Sequence, residues 1–274
     1  MSRDQILQLE ELSNSLRIDI LKMIYEAQSG HPGGSLSAID ILTVLFSQVL
    51  NHDPHNPQWP DRDRFILSKG HAAPALYAIL AHFGYFPRNQ LNSLRKLGSP
   101  LQGHPEKNKL PGVEASTGSL GQGVSIGIGM TLAGKLDRKE FRTYVLVGDG
   151  ETDEGQVWEA ALYAGAHQLD HLIVILDNNG NQLDGSIKEI LPLDPIGDKW
   201  RSFGWNVIEI NGHKITEIVD AFEKAKSSKG KPTLIIAKTI KGKGVSFMEN
   251  NNEFHGMSPN KEQFAIAMKE LEHA

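Results

Sequence analysis

Two polar clusters stand where this chain could do chemistry. Gly148-Asp149-Gly150-Glu151-Thr152-Asp153-Glu154-Gly155 follows the apolar run 143–147, and Asp177-Asn178-Asn179 closes the apolar run 172–176. Asp149 offers a hard anionic oxygen and Asn179 a neutral carbonyl oxygen. Donors of these two kinds suit Mg²⁺ or Ca²⁺ bridged to a diphosphate. An aspartate between two glycines is, taken alone, more often a turn residue. The glycines also let backbone approach phosphate oxygens, however, and the helix expected to follow points its positive end toward the same place.

The elements that must position these clusters are legible in the apolar pattern. Runs 143–147 and 172–176 are short, β-rich and apolar throughout, as strands buried on both faces of a parallel sheet should be. Residues 157–167 between them read as a crossover helix, so both strand ends reach the crevice that such folds use for binding. Ile6, Leu9, Leu12, Leu16, Ile20, Met23, Ile24 and Ala27 recur at helical spacing and predict a long helix over 4–28. A second helix is expected to be capped by Ser37 or Asp40 and to run through Val49. Strand 65–67 delivers Ser68-Lys69-Gly70-His71, and Pro74 opens a helix through Phe83. Glycine-rich 118–129 opens a helix to Leu136. Helices are expected at 195–203, 215–225 and 260–271, with strands at 206–210 and 233–237. The fold class is therefore α/β, a doubly wound and mostly parallel sheet with helices on both faces.

Among 11 histidines, His31, His71, His104 and His255 are each flanked by Gly or Pro in a predicted loop, where side chains from distant segments can meet. Imidazole suits proton handling near neutrality. The turn Thr239-Ile240-Lys241-Gly242-Lys243-Gly244 is basic and glycine-rich, and Lys243 is read as support for a cofactor or substrate. No P-loop pattern is present, which disfavours NTP hydrolysis.

Six words occur in a fixed order: Ser29-Gly30-His31-Pro32-Gly33-Gly34-Ser35, Leu67-Ser68-Lys69-Gly70-His71-Ala72, Gly103-His104-Pro105, Ser116-Thr117-Gly118-Ser119-Leu120-Gly121-Gln122-Gly123, the Gly148–Gly155 cluster and Phe254-His255-Gly256. Together they resemble the transketolase family over residues 10–256. The resemblance implies thiamine diphosphate as cofactor, with Mg²⁺ (or Ca²⁺ or Mn²⁺) held by Asp149, Asn179 and the carbonyl of Asn181. His71, Gly118, Leu120, Gly148, Asp149, Gly150, Asn179 and His255 would bind the cofactor. His31 and His255 would handle protons at the donor C3 hydroxyl and the acceptor carbonyl, and His104 would hold the donor C1 hydroxyl. Glu154 would link two cofactor sites across a dimer. Ser119 departs from the proline often found there in the single-chain enzymes.

The resemblance also implies what this chain lacks. A single-chain transketolase has three domains, whereas 274 residues leave room for one, spanning 1–274. The chain resembles the N-terminal subunit of a split enzyme, whose C-terminal subunit would bring the pyrimidine-binding and C-terminal domains in an α2β2 assembly. Expected substrates are a ketose phosphate donor and an aldose phosphate acceptor. Alternatives are a ketol transferase for an unusual sugar, such as a sulfosugar or a branched pentose, and a non-catalytic regulatory homologue.

The charge balance, 28 Lys+Arg against 33 Asp+Glu with no long basic run, argues against nucleic acid as a partner. Zero cysteines exclude disulfides, thiolate metal sites and a Cys nucleophile. A polar N-terminus and no bilayer-length apolar stretch predict a cytoplasmic chain without membrane association.

Overall fold

The computed structural model describes residues 1–273. Five strands form one parallel sheet: β1 (Arg64–Leu67), β2 (Thr143–Gly148), β3 (Leu172–Asn178), β4 (Asn206–Asn211) and β5 (Thr233–Lys238), in the order β1-β2-β3-β5-β4. The helices are α1 (Arg3–Ala27), α2 (Pro32–Val44), α3 (Ala73–His82), α4 (Gln122–Leu136), α5 (Gly155–Ala166), α6 (Ile187–Ile190), α7 (Ile196–Ser202), α8 (Ile215–Ser227) and α9 (Lys261–Glu272).

Successive strand residues point to opposite faces, and this splits the core in two. Phe65, Leu67, Tyr144, Leu146, Ile173, Ile175 and Ile235 pack beneath α1, α2, α3 and α8. Ile66, Val145, Val147, Val174, Leu176, Leu234 and Ile236 pack beneath α4, α5 and α7. Each fully buried side chain of this size contributes about 1.5–3 kcal/mol, so the apolar strands are stable only with both faces covered. The expected fold class holds. The C-terminal helix covers the domain, with Ala267 and Leu271 buried and Phe264 stacked on Tyr25 at 4.1 Å. Among the described residues no helix is long and apolar enough to cross a membrane.

Two helix starts differ from expectation. α2 begins at Pro32, after His31 at the cap position, and a turn of π-helix (Leu45–Val49) continues it. Ser37 and Asp40, expected as caps, lie buried inside it. Asp40 is instead clamped by Arg17 (2.5 Å) and His213 (2.7 Å), and the His213 Nε2 accepts the amide of Ile240 (2.8 Å). This network fixes the turn after β5. α4 starts at Gln122 rather than 118, because Gly118 (φ +145°) and Gly121 (φ +81°) hold a non-helical loop ahead of it.

Candidate active site

All five strands are parallel, so their carboxyl ends gather on one edge. There β1 delivers Ser68, Lys69 and His71; β2 delivers Asp149; β3 ends in Asp177 and Asn178 and leads into Asn179; and β5 leads into Thr239 and Lys241. Gly148 and Asp177 are register partners, which brings the two polar clusters onto adjoining strands. Asp149 Oδ2 accepts the amide of Gly180 at 2.5 Å, and its Oδ1 accepts that of Gly150 at 3.0 Å. Gly150 has no room for a side chain, since a Cβ there would stand 2.6 Å from that of Gln182.

At the floor, Asp177 is fully buried and accepts from Lys69, from Ser37 (2.6 Å) and from Thr239. Burial pushes its carboxyl up, but the Lys69 ammonium and these hydrogen bonds outweigh it and hold the group below the usual carboxylate range. Lys69 also donates to the Gly34 carbonyl at 3.1 Å. Asp149 has no such partner. Burial first, and then the charge of Asp177, push it up to about 7. Lys241, only 2% exposed, donates to Gln182 O (3.2 Å) and Asn252 Oδ1 (3.0 Å), and burial followed by repulsion from Lys69 pulls it down to about 8.

Glu151, to which the sequence assigned no role, ties this floor to the glycine-rich loop. It accepts from the Ser68 hydroxyl and from the amides of Gly121 (2.9 Å) and Gly148 (3.0 Å), while Ser68 Oγ accepts the amide of Gly123 at 3.1 Å. Three segments far apart in sequence thus close on one buried carboxylate.

Four histidines from four segments meet above the floor. His31 lies 5.5 Å from His71, 6.1 Å from His104 and 5.5 Å from His255, ring centre to ring centre, and His71 lies 5.1 Å from His255. Burial is the leading cause of depressed basicity in each. It is joined at His31, which falls to about 4, by Arg95 and His104; at His255, which falls to about 3, by Lys241 and His31; and at His71, which falls well below its usual range, by Lys69. His104 is exposed and also lowered, with Arg95 as the second cause. The cluster is therefore neutral at physiological pH.

The expected residues thus fall into three groups. His31, His71, His104 and His255 come together, and Gly118 backs onto the His104 ring, 3.0 Å from where its Cβ would stand. Gly148, Asp149, Gly150, Asn179 and Asn181 come together at the other end. There Asn181 N donates to Asn179 Oδ1 (3.2 Å) and Asn181 Nδ2 to the Asn179 carbonyl (3.0 Å). Glu154 stands apart: it is exposed, occupies the N-cap position of α5 without a side-chain capping bond and packs beside Gly121, with Leu120 half-buried in the same loop as that glycine. Lys243 turns away and pairs with Glu249 at 3.1 Å, so Lys241 is the lysine of that turn that faces the site. Lys69 and Asp177 were visible only as members of quoted motifs, and Arg95, beside His31, carried no signal.

A hollow of about 330 Å³ opens beside Asp149, with Asn179, Gly180 and Thr239 on its polar side and Ile187, Leu193 and Ile196 on its apolar side. A larger one of about 490 Å³, around His213 and Glu217, is lined by Lys243 but by none of the expected metal ligands, glycines or clustered histidines. Among the described residues no cluster of three His, Asp or Glu side chains could hold a metal alone. A cation beside Asp149 would draw on amide and carbonyl oxygens and on those of a bound anion. That is a fitting arrangement for Mg²⁺ with a diphosphate, and a hard cation would relieve the buried Asp149 carboxylate.

The family model described as transketolase, thiamine diphosphate binding domain, matches residues 9–272. The chain is 48% identical over 272 residues to the 6-deoxy-6-sulfo-D-fructose transketolase subunit SqwG of Clostridium sp. (strain MSTE9), covering 99% of this chain and 98% of that one. It is 40% identical over 267 residues to an apulose-4-phosphate transketolase subunit of Phocaeicola vulgatus, covering 97% and 95%. The crystal structure of transketolase from Campylobacter jejuni superposes with a TM-score of 0.93 at 38% identity, over 99% of this chain and 43% of that one.

Proposed function

The chain belongs to the transketolase family as an N-terminal subunit of the enzyme, and on that premise we propose that it is the diphosphate-binding half of a two-chain ketol transferase. It moves a two-carbon ketol unit from a ketose phosphate to an aldose phosphate and turns over only with a C-terminal partner subunit. The observation that carries this reading is the joining, on one sheet edge, of a neutral four-histidine cluster to a buried floor with one uncompensated carboxylate and one uncompensated ammonium.

In this reading Asp149 and Asn179 bind Mg²⁺ through side-chain oxygens and Asn181 through its carbonyl. Lys241 and His71 face the diphosphate. Bound thiamine diphosphate supplies the carbanion chemistry that breaks and remakes the carbon–carbon bond. His31 and His255 manage protons at the donor hydroxyl and the acceptor carbonyl, and His104 holds the donor C1 hydroxyl. Glu154, exposed at the start of α5, faces the partner. The intact set of polar residues disfavours a purely regulatory homologue.

The relatives named for 6-deoxy-6-sulfo-D-fructose and for apulose-4-phosphate favour a second reading of the substrate, in which the sugar is an unusual one such as a sulfosugar or a branched pentose. The residues gripping its distal anion would lie in the partner, so the site described here serves either donor.

The test is reconstitution. The purified chain alone is expected to show no ketol transfer and weak thiamine diphosphate binding, and mixing with the C-terminal subunit restores both. Light scattering of the active particle should give the mass of two copies of each chain. Full turnover by this chain alone would overturn the two-chain reading, and an active particle of one copy each would overturn the α2β2 assembly.

A further inference from the structure

We propose that Arg95 is a positioning residue that fixes His31 in one neutral tautomer, with its proton on Nε2, so that His31 meets substrate oxygens as a hydrogen-bond donor. The assignment deepens the proposed function, since it takes from that reading that substrate oxygens approach His31.

The loop carrying Arg95 is shaped around its guanidinium. Arg95 itself has φ +58°, a left-handed conformation, and its amide donates to Leu101 O at 2.8 Å. Its Nη1 donates to Ser29 Oγ at 3.0 Å, and its Nη2 lies 3.3 Å from His31 Nδ1 and 3.5 Å from Gly103 O. A Cβ on Gly103 would stand 2.9 Å from the guanidinium carbon, so the glycine leaves the space that Arg95 fills.

A guanidinium only donates hydrogen bonds and does not lose its proton in proteins. His31 Nδ1 must therefore present its lone pair to Arg95, and a neutral ring then carries its hydrogen on Nε2. Protonation of Nδ1 would turn an N–H and a positive charge against the guanidinium. The surroundings point the same way. His31 sits at the cap position of the 13-residue α2, where the positive end of the helix disfavours an imidazolium. The titratable and charged groups facing the ring are Arg95 and His104 from one loop, His71 after β1, Lys241 after β5 and His255 from the C-terminal segment. All are cations or imidazoles. Burial first, and Arg95 second, bring His31 to about 4. Its Nε2 opens toward the His255 side, 3.7 Å from where a Cβ on Gly256 would stand. A neutral imidazole N–H so placed can polarise a carbonyl or hydroxyl oxygen without first taking up a proton.

The experiment is long-range ¹H–¹⁵N correlation spectroscopy of the full chain labelled in its histidine rings, with His31 assigned through His31→Gln. The expected wild-type spectrum shows the Nε2–H tautomer from pH 5.5 to 8 with no titration. Arg95→Met should populate the Nδ1–H form and bring a titration midpoint into that window, at least one pH unit above wild type. Arg95→Lys, still cationic and donor-only, should stay near wild type. If Arg95→Met does not fold, Arg95→Gln serves in its place through the rise in midpoint alone. In the reconstituted enzyme, Arg95→Met should lower kcat roughly tenfold with cofactor affinity unchanged. An imidazolium or Nδ1–H form of His31 in the wild type at pH 7, or unchanged spectra after loss of the Arg95 charge, would overturn the proposal. The spectra are read on the chain alone, so failure of ketol transfer on reconstitution counts against the proposed function and leaves this result standing.

Discussion

The two ends of the site handle charge in opposite ways. At the floor, Asp149, Asp177, Lys69 and Lys241 are all at most 4% exposed, and each has the potential to carry a full charge. Above it, the histidines are more open and are held neutral. Within the floor the same contrast recurs. Lys69 and Asp177 compensate each other, and Asp177 stays firmly ionised. Asp149 and Lys241 are left without partners of this strength, and burial moves both toward neutrality. A buried charge that finds its partner in the protein serves the scaffold, whereas one pushed toward neutrality marks where a ligand of the opposite sign is to arrive. The direction of the shift thus separates residues that burial alone would group together.

The sharpest way to break this distinction is to remove one carboxylate of each kind. Asp177→Ala leaves the buried Lys69 ammonium unpaired and should destabilise the chain by about 3–5 kcal/mol. Asp149→Ala should leave the stability of the chain alone unchanged or higher. In the reconstituted enzyme it should lower thiamine diphosphate affinity at least about tenfold, and Asn179→Ala should act in the same direction but less. Urea unfolding of the two aspartate variants, with calorimetric titration of the second, checks the pair. Equal destabilisation by both would show that Asp149 is scaffold too.

A second test sets the floor against the histidines. His31→Ala and His255→Ala should each lower kcat by roughly 10², the scale of a lost positioned proton handler or donor, while leaving cofactor affinity within about twofold. His104→Ala should mainly raise the donor KM, because it is assigned to a hydroxyl held already in the ground state. Steady-state kinetics beside cofactor titration distinguishes these outcomes. A fall in cofactor affinity that tracks the fall in kcat would merge the two ends into one binding surface.

The same contrast explains what could be read in the sequence. The Asp149–Asn179 end of the site was legible because strand-end motifs are local: both residues follow apolar runs, and register brings the two runs together. The four histidines were recognisable from their flanking glycines and prolines, but only as separate loops. What escaped was whatever tertiary packing decides. Gly33 and Gly34 looked like loop and displaced the predicted start of α2. They stand inside the helix despite the low helix propensity of glycine, because a Cβ on Gly34 would stand 3.2 Å from His71 Nε2 and 3.3 Å from Lys69 Nζ, and that close approach calls for glycine. That the basic turn carries Lys241 toward the site and Lys243 away from it escaped for a related reason. Composition marks a basic turn but not which side chain points inward, and that is set by the Arg17–Asp40–His213 network holding Ile240. Arg95 was invisible, since its partners Ser29, His31 and Gly103 all belong to other segments or to the far side of its own loop.

The smallest expected effect is also the finest test of the floor, because Lys241 should act on stability and on binding with opposite signs. Its folded-state value of about 8 lies below the ordinary lysine range near 10.4. Between these two values the unfolded chain binds more protons at this group than the native chain does, so its contribution to stability rises with pH over that window. Below about 8 the native chain carries the buried ammonium at a cost. Lys241→Met should therefore raise the stability of the chain alone at pH 7 by roughly 1 kcal/mol, as replacing a buried charge with an apolar side chain of similar length can do. The same ammonium attracts the diphosphate, so at pH 7 the variant in the reconstituted enzyme should bind thiamine diphosphate about three- to tenfold more weakly. As pH rises from 7 to 9 the wild-type lysine loses its proton, and the ratio of the two affinities should shrink toward one. A ratio that stays constant across that range would mean that Lys241 contributes shape alone, and that the uncompensated charge at the floor is carried by Asp149 without it.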